Sequence, residues 1–586
     1  MTSFEFSEVA FEKTAVRSWG KQDQRFRNWP IVYIINAAVK GPKPALSDVY
    51  VGETFNAESR LLQHLDSPTK QHLSSVRIVL DDTYNKSACL DLETHLIRLL
   101  SGDGTYRVLN VVSGSTDANY YDREIYRESF REVFDELLAE GLFTRSISEI
   151  ENSDLFKLSP FKALSPDQAV AVESILDGLF ADIETLVGST IVIQGEPGTG
   201  KTVVATYLLK LLADIAQSNP ADLVDADSRF SEFFTDGYRE LLKDFKVALV
   251  VPQQSLRASI QRVFKRTPGL NESQVMTPFE VGKSDETWDL LIVDEAHRLN
   301  QRANQSSGVL NREFIDINVK LFGFDDLSKT QLDWIRARSR NQALLVDPLQ
   351  SVRPADLPRE LVSSLVEDAK SDHRYYTLES QMRVKAGEDY VGYVRSILRP
   401  GAAETDLVDV APRKFADYDL RFFEDLGEMH DAIRERDTEY GLARLAAGFA
   451  WPWASKTNKD AYDIQLDGRS LQWNRTDKDW INSPGSLDEV GSIHTVQGYD
   501  LNYTGVIIGN DLKFDIEENR LRFNRTQYFD VKGKENNKKL GKTYGDEDLL
   551  RYVTNAYTVL LTRGIRGTYV YVCDPALRER LRPFFS

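Results

Sequence analysis

The 586-residue chain has length for three or four domains, and its 41% hydrophobic and 28% charged content is ordinary globular usage, which excludes a small binding module and a disordered, collagen-like or coiled-coil chain. A net charge of −18 opposes recruitment to nucleic acid by bulk positive charge, so any such contact has to be local. Two cysteines, Cys89 and Cys573, exclude a disulfide framework and a four-cysteine zinc site, and no apolar run reaches membrane-spanning length. With no basic-then-apolar start, the expectation is a soluble, cytoplasmic protein without a membrane partner.

Residues 1–29 read as a lead segment. The β-branched runs at 31–35 and 49–51, separated by Lys40-Gly41-Pro42-Lys43-Pro44, predict a hairpin with a long loop. Residues 57–65 and 88–100 have helical spacing, and 120–140 form a charged amphipathic helix. The stretch from Lys21 to Arg107 is near neutral while the remainder holds the acidic excess, which points to a separate module, placed at 30–118 and followed by a helical linker over 119–160. From residue 191 onward, apolar runs at 191–193, 247–251, 290–293 and 343–346 alternate with helical stretches, and a second set follows at 505–508 and 568–572. That alternation predicts an α/β fold with parallel sheets in two lobes, 161–365 and 366–586, the second with an insertion around 400–489.

Gly195-Glu196-Pro197-Gly198-Thr199-Gly200-Lys201-Thr202 has the form G-x4-G-K-[ST] between a strand and a helix. Its glycines let backbone N–H groups approach phosphates, Lys201 brings a cation to the outer phosphates, and the Thr202 hydroxyl is suited to Mg²⁺. Asp294 and Glu295 stand at the carboxyl end of the strand 290–293, where parallel-sheet proteins bind ligands. Asp294 is expected in the Mg²⁺ shell and Glu295 at the attacking water of ATP, the plainer alternative being a helix cap by Asp294. Trp451-Pro452-Trp453 offers stacking surface but reads as core.

In order and spacing these segments resemble the superfamily 1 helicases from about residue 164 to the end. Leu164-Ser165-Pro166-Asp167-Gln168 is similar to the upstream motif in which Gln168 reads adenine. Val250-Val251-Pro252-Gln253-Gln254 resembles motif Ia, and Leu345-Val346-Asp347-Pro348-Leu349-Gln350 resembles motif III with Gln350 as γ-phosphate sensor. Gln381-Met382-Arg383, residues 493–500 containing Gln497 and Gly498, and Leu561-Thr562-Arg563-Gly564 resemble motifs IV, V and VI. The resemblance implies two RecA-like lobes, with Arg383 and Arg563 reaching the γ-phosphate and Gln497 and Gly498 at the nucleotide. Thr377-Leu378-Glu379-Ser380-Gln381-Met382-Arg383 and Gln331-Leu332-Asp333-Trp334-Ile335 are similar to a bacterial subfamily related to the helicase-like domain of Schlafen proteins. Asp294-Glu295-Ala296-His297 spells a box better known from superfamily 2, and His297 reads as a linker between the nucleotide and nucleic-acid sites.

Glu93 shares the apolar face of its helix with Cys89, Leu90, Leu96 and Ile97, where a carboxylate is costly unless satisfied. It reads either as an internal salt bridge to Arg60 or Arg98 or as a single metal ligand. Arg60 and His64, four apart, project from one helix face. Together with Val32-Tyr33-Ile34 and Val49-Tyr50-Val51-Gly52, and with Asn110, the segment 30–115 resembles the GIY-YIG endonucleases. The resemblance implies Tyr33 and Tyr50 around the attacked phosphate, with Tyr33 as base or water-orienting group. Arg60 would neutralise that phosphate beside His64, Glu93 would bind one Mg²⁺, and Asn110 would brace the site. The first motif has Ile31-Val32-Tyr33 in place of Gly-Ile-Tyr, and the interval to Tyr50 carries an insertion. The resulting expectation is a Mg²⁺-dependent endonuclease ahead of an ATP-dependent translocase or helicase, acting on single- or double-stranded DNA in restriction or phage defence. The alternatives are an ATP-switched sensor with an inactive nuclease domain, an RNA-directed nuclease, and a DNA-repair helicase-nuclease.

Overall fold

The computed structural model describes residues 4–37, 46–112, 119–218, 229–302, 305, 307–348, 350–382, 384–385, 388–398, 410–476, 480–496 and 499–586. The chain divides into two compact units. One comprises Met1–Leu186, Thr202–Phe245 and Ser259–Val275, and the other Val187–Lys201, Lys246–Ala258 and Met276–Ser586.

The first unit is built on a five-stranded sheet with spatial order Phe4–Ala10, Ser75–Asp81, Ile31–Asn36, Ser47–Thr54, Tyr106–Val108. Neighbours are antiparallel except the last pair. Ile31–Asn36 is central and buried along its whole length, which explains a continuous β-branched run in place of an alternating one. Its register sets Tyr33 opposite Gly52 and Ile35 opposite Tyr50. Helix Ala57–Asp66 starts at Asn56, whose side chain accepts from the Ser59 N–H at 3.0 Å. Helix Lys86–Asp103 starts in the same way at Asn85 and stops at Gly104 in the left-handed region.

The segment 1–29 is more than a lead. Phe4–Ala10 forms the sheet's edge strand against Ser75–Asp81. Glu8 falls on the face of Phe4 and Phe6 and interrupts its apolar alternation, which hides the strand in the sequence and suits an edge facing water. Helix Arg123–Ala139 buries Phe130, Val133, Phe134 and Leu137. Helices farther along the chain group with this unit through specific bonds. Asp214 pairs with Lys210 and accepts the Val112 N–H at 2.9 Å, while Asp154 accepts from Ser259 and Arg262, each at 2.6 Å.

The second unit carries two large sheets and a two-stranded ribbon, Leu512–Asp515 with Arg520–Phe523. The six-stranded sheet runs Tyr375–Leu378, Thr190–Gly195, Ser339–Val346, Trp288–Val293, Val247–Val250, Val275–Met276, and the pairings among its first five strands are parallel. The seven-stranded sheet runs Asp419–Phe422, Gly564–Val572, Leu501–Ile508, Ala443–Ala447, Glu489–Ser492, Arg469–Trp473, Ile464–Leu466, with only the final pair antiparallel. The α/β fold with parallel sheets stands as the alternation of apolar runs implied.

The region 400–489 is not an insertion beside that second sheet, because it supplies four of the sheet's strands. Ala443–Ala447 is fully buried between two partners, yet its Ala-Arg-Leu-Ala-Ala sequence has no β-branched residue. It is a strand because of where it packs. Trp451 and Trp453 are half-buried and pack against the Leu426 to Tyr571 core cluster, in agreement with the core reading. No described helix is long and apolar enough to cross a membrane.

Candidate functional site

The strand Thr190–Gly195 delivers Gly195 to a turn that runs into helix Lys201–Gln217. Within the turn Gly198 and Gly200 take φ of 91° and 77°, conformations that L side chains resist. Lys201 is almost fully buried, and its Nζ donates to the carbonyls of Gly195 at 2.8 Å and Glu196 at 3.1 Å. Thr199 Oγ1 also donates to Glu196 O, at 2.9 Å. The loop thus curls around its own lysine, and Thr202 follows in the first helical turn. The 381–382 segment sits against this loop, with Gln381 Nε2 donating to Pro197 O at 2.8 Å and the Met382 N–H to Gly198 O at 2.9 Å. Arg383, Gln497 and Gly498 lie outside the described residues.

Asp294 is fully buried just past strand Trp288–Val293, and its Oδ1 accepts the Glu295 N–H at 2.9 Å. Glu295 has φ of 50°, a left-handed conformation costing a non-glycine residue about 1–2 kcal/mol, the kind of strain that concentrates at functional positions. Its Oε2 lies 3.1 Å from His297 Nε2. The Asp347 N–H donates to His297 Nδ1 at 3.1 Å, so the neutral ring carries its proton on Nε2, facing Glu295. Burial by itself would raise the Glu295 carboxyl, but His297, Lys201 and Arg298 outweigh it and hold the group well below the usual carboxylate range. Gln350 is buried, and its Nε2 donates to Asp347 Oδ2 at 2.7 Å, while among the described residues its Oε1 has no hydrogen-bond partner. One polar chain therefore runs from Glu295 through His297 and Asp347 to Gln350.

An arginine that no motif flagged also meets this cluster. Arg395, on helix Glu388–Ile397, pairs with Glu196 of the loop and has Nη2 3.8 Å from Asp347 Oδ2. Arg563 is buried, with Nη1 donating to Tyr499 O at 3.3 Å. Gln253 Nε2 donates to His494 O at 3.2 Å and Tyr499 Oη to Ser255 O at 3.3 Å, so the segments resembling motifs Ia and V touch. A cleft of about 990 Å³ opens beside Pro197, Gln350 and Arg395 and extends to Asn555, Tyr544 and Arg551, large enough for a nucleotide-sized ligand. In the first unit, Gln168 is fully buried at a helix start, where its Oε1 accepts the Ser165 N–H at 3.0 Å and closes a capping box.

The first unit gathers the other predicted residues. Tyr33 and Tyr50 rings lie 6.3 Å apart, and the Tyr50 ring is 4.8 Å from that of His64. Tyr33 Oη is 2.8 Å from His64 Nε2, and the Arg60 charge acts on both phenols. Glu93, half-buried on helix Lys86–Asp103, lies within electrostatic range of both tyrosines. Burial first, with Glu93 adding to it and Arg60 opposing it, pushes the Tyr33 phenol well above its ordinary value and Tyr50 to about 12. Both phenols therefore stay protonated at ordinary pH. Asn110 accepts the Val51 N–H at 3.1 Å and donates to Val51 O at 2.7 Å, bracing the strand that carries Tyr50. Lys70 joins the cluster unannounced by any motif, 3.0 Å from His64 Nδ1 and 3.8 Å from the Tyr50 ring centroid. Among the described residues no group of three or more His, Cys, Asp or Glu side chains is arranged to hold a metal. One or two carboxylates fit Mg²⁺, which keeps its waters and takes the remaining ligands from phosphate.

Residues 188–574, about two thirds of the chain, match the family model described as Schlafen group 3, DNA/RNA helicase domain. An uncharacterized protein of Saccharomyces cerevisiae is 28% identical over 414 residues, which cover 67% of this chain and 83% of the yeast protein. Among solved structures the chain is similar to Pif1 helicase from Bacteroides in complex with ADP-AlF3 and ssDNA, at 12% identity and a TM-score of 0.23, over 60% of this chain and 87% of that one. It is also similar to a DEAD box protein from Methanococcus jannaschii, at 12% identity and a TM-score of 0.20, over 72% and 93%.

Replacing Asn110 with Ala leaves a buried N–H and C=O of Val51 unpaired. The expected loss is roughly 1–3 kcal/mol per group, read as a lower urea midpoint for the first unit, whereas an unchanged midpoint would remove Asn110 as the brace.

Proposed function

We propose that this chain, which belongs to the Schlafen group 3 family through its DNA/RNA helicase domain, is an ATP-driven nucleic-acid motor carrying an amino-terminal site that cuts DNA. The buried chain Glu295–His297–Asp347–Gln350 beside the Lys201 loop carries the motor half of this reading. Lys201 would exchange its loop carbonyls for the outer phosphates of ATP. The ionised Glu295 would accept a hydrogen bond from the attacking water, with His297 Nε2 beside its carboxylate. Gln350 would use its open Oε1 at the same water while its amide stays on Asp347, and Arg395 would leave Glu196 for the γ-phosphate. Thr202 and Asp294 would hold Mg²⁺, which when bound supplies charge neutralisation between the phosphates.

The cutting half rests on the convergence of Tyr33, Tyr50, Arg60, His64 and Glu93 around one point of the first unit. Arg60 would neutralise the attacked phosphate, the neutral phenols would orient water and phosphoryl oxygens, and Glu93 would hold one Mg²⁺. DNA is the substrate we assign, with RNA as the competing target, and a cutter joined to a motor suits restriction of foreign DNA.

Two experiments test these halves separately. Glu295→Gln should keep fluorescent-nucleotide binding while turnover falls roughly 10²–10⁴-fold, and Lys201→Ala should lose both. Full turnover in either variant contradicts the assignment. Incubated with closed-circular plasmid and Mg²⁺, the parent should yield nicked or linear product and Glu93→Ala none. An intact plasmid with the parent, under conditions where ATP is hydrolysed, would instead favour a binding-only amino-terminal domain.

A further inference from the structure

We propose that Lys70 is a positioning residue that locks His64 as a neutral imidazole protonated on Nε2, so that His64 donates to Tyr33 and leaves the Tyr33 hydroxyl proton to act on substrate or water. The consequence for cleavage rests on the nuclease reading above; the tautomer itself does not.

An ammonium has three donors and no lone pair. Lys70 Nζ lies 3.0 Å from His64 Nδ1, so Nδ1 must be the acceptor and carries no proton. A second proton on the ring is opposed by burial, then by the Lys70 and Arg60 charges, which together push His64 down to about 2. A neutral ring with a bare Nδ1 has its proton on Nε2, and Nε2 lies 2.8 Å from Tyr33 Oη. Tyr33 therefore accepts from His64, and its own proton is directed elsewhere. His64 cannot take that proton without first moving its own to Nδ1, where the Lys70 ammonium stands. A relay in which His64 acts as base through Tyr33 is thus closed, and the phenol works as a donor.

Lys70 is itself held in place. It is almost fully buried, its N–H donates to Ser67 O at 3.1 Å in the turn after helix Ala57–Asp66, and its ammonium lies 3.8 Å from the Tyr50 ring centroid. That cation–π contact orders the second tyrosine with the same charge that sets the histidine. The sequence spacing of Lys70 from His64 carries no recognisable pattern, because the turn at 67–70 brings the lysine back over the ring.

The test is nitrogen NMR of the full chain labelled with ¹⁵N-histidine, its His64 signals identified by their loss in His64→Gln. The parent should show a pyridine-like Nδ1 and a protonated Nε2. Lys70→Gln, whose amide can still donate, should keep that pattern, and Lys70→Met should shift population to Nδ1–H. Plasmid nicking should follow the tautomer, slowed roughly 10–100-fold in Lys70→Met and largely retained in Lys70→Gln. A proton on Nδ1 or an imidazolium in the parent overturns the proposal whether or not either variant folds, as does an unchanged spectrum in Lys70→Met. A parent that cuts with its proton on Nδ1 overturns this assignment while the nuclease stands. A parent with its proton on Nε2 that cuts nothing supports the lock and removes the nuclease.

Discussion

The Asp347 amide, donating to His297 Nδ1, is the small constraint on which the motor site depends. It fixes which ring nitrogen carries the proton, and so leaves the protonated Nε2 3.1 Å from the Glu295 carboxylate, within ion-pair range. The sheet makes the arrangement possible. Trp288–Val293 and Ser339–Val346 are parallel neighbours in register at Leu344 and Val293, so their carboxyl ends deliver Asp294, Glu295 and Asp347 to one edge. Gln350, three residues further on, then binds Asp347 by its amide.

A second histidine in the chain is governed by the same logic with a different donor. At His297 a backbone amide occupies Nδ1, and at His64 a lysine ammonium does. In each case the consequence is a protonated Nε2 near an oxygen, 3.1 Å from Glu295 Oε2 in one site and 2.8 Å from Tyr33 Oη in the other. Low dielectric makes such choices firm, because an unpaired donor or acceptor at these depths is expensive. Arg395 adds a different element, a cation shared between Glu196 and Asp347 and therefore sensitive to any phosphate that enters between them.

Much of this was legible from residue order. The loop 195–202, the carboxylates 294 and 295, and the central strands announced themselves through glycine spacing and β-branched runs. Tyr33, Tyr50, Arg60, His64 and Glu93 were singled out far apart in sequence and lie together in the first unit. What stayed hidden has physical reasons. Ala443–Ala447 and Phe4–Ala10 are strands by placement more than by propensity, and the first led to a supposed insertion. Lys70 and Arg395 sit on a turn and an ordinary amphipathic helix, where one basic residue is indistinguishable from a solvated one until the chain folds.

The most direct test is the rate of ATP hydrolysis by the full chain with Mg²⁺, measured alone and across titrations of single-stranded DNA, duplex DNA and RNA. A nucleic-acid motor built on the Glu295–His297–Asp347–Gln350 chain should hydrolyse ATP and turn over faster as at least one nucleic acid saturates it. Absence of hydrolysis under every condition, or a rate indifferent to all three, would contradict it.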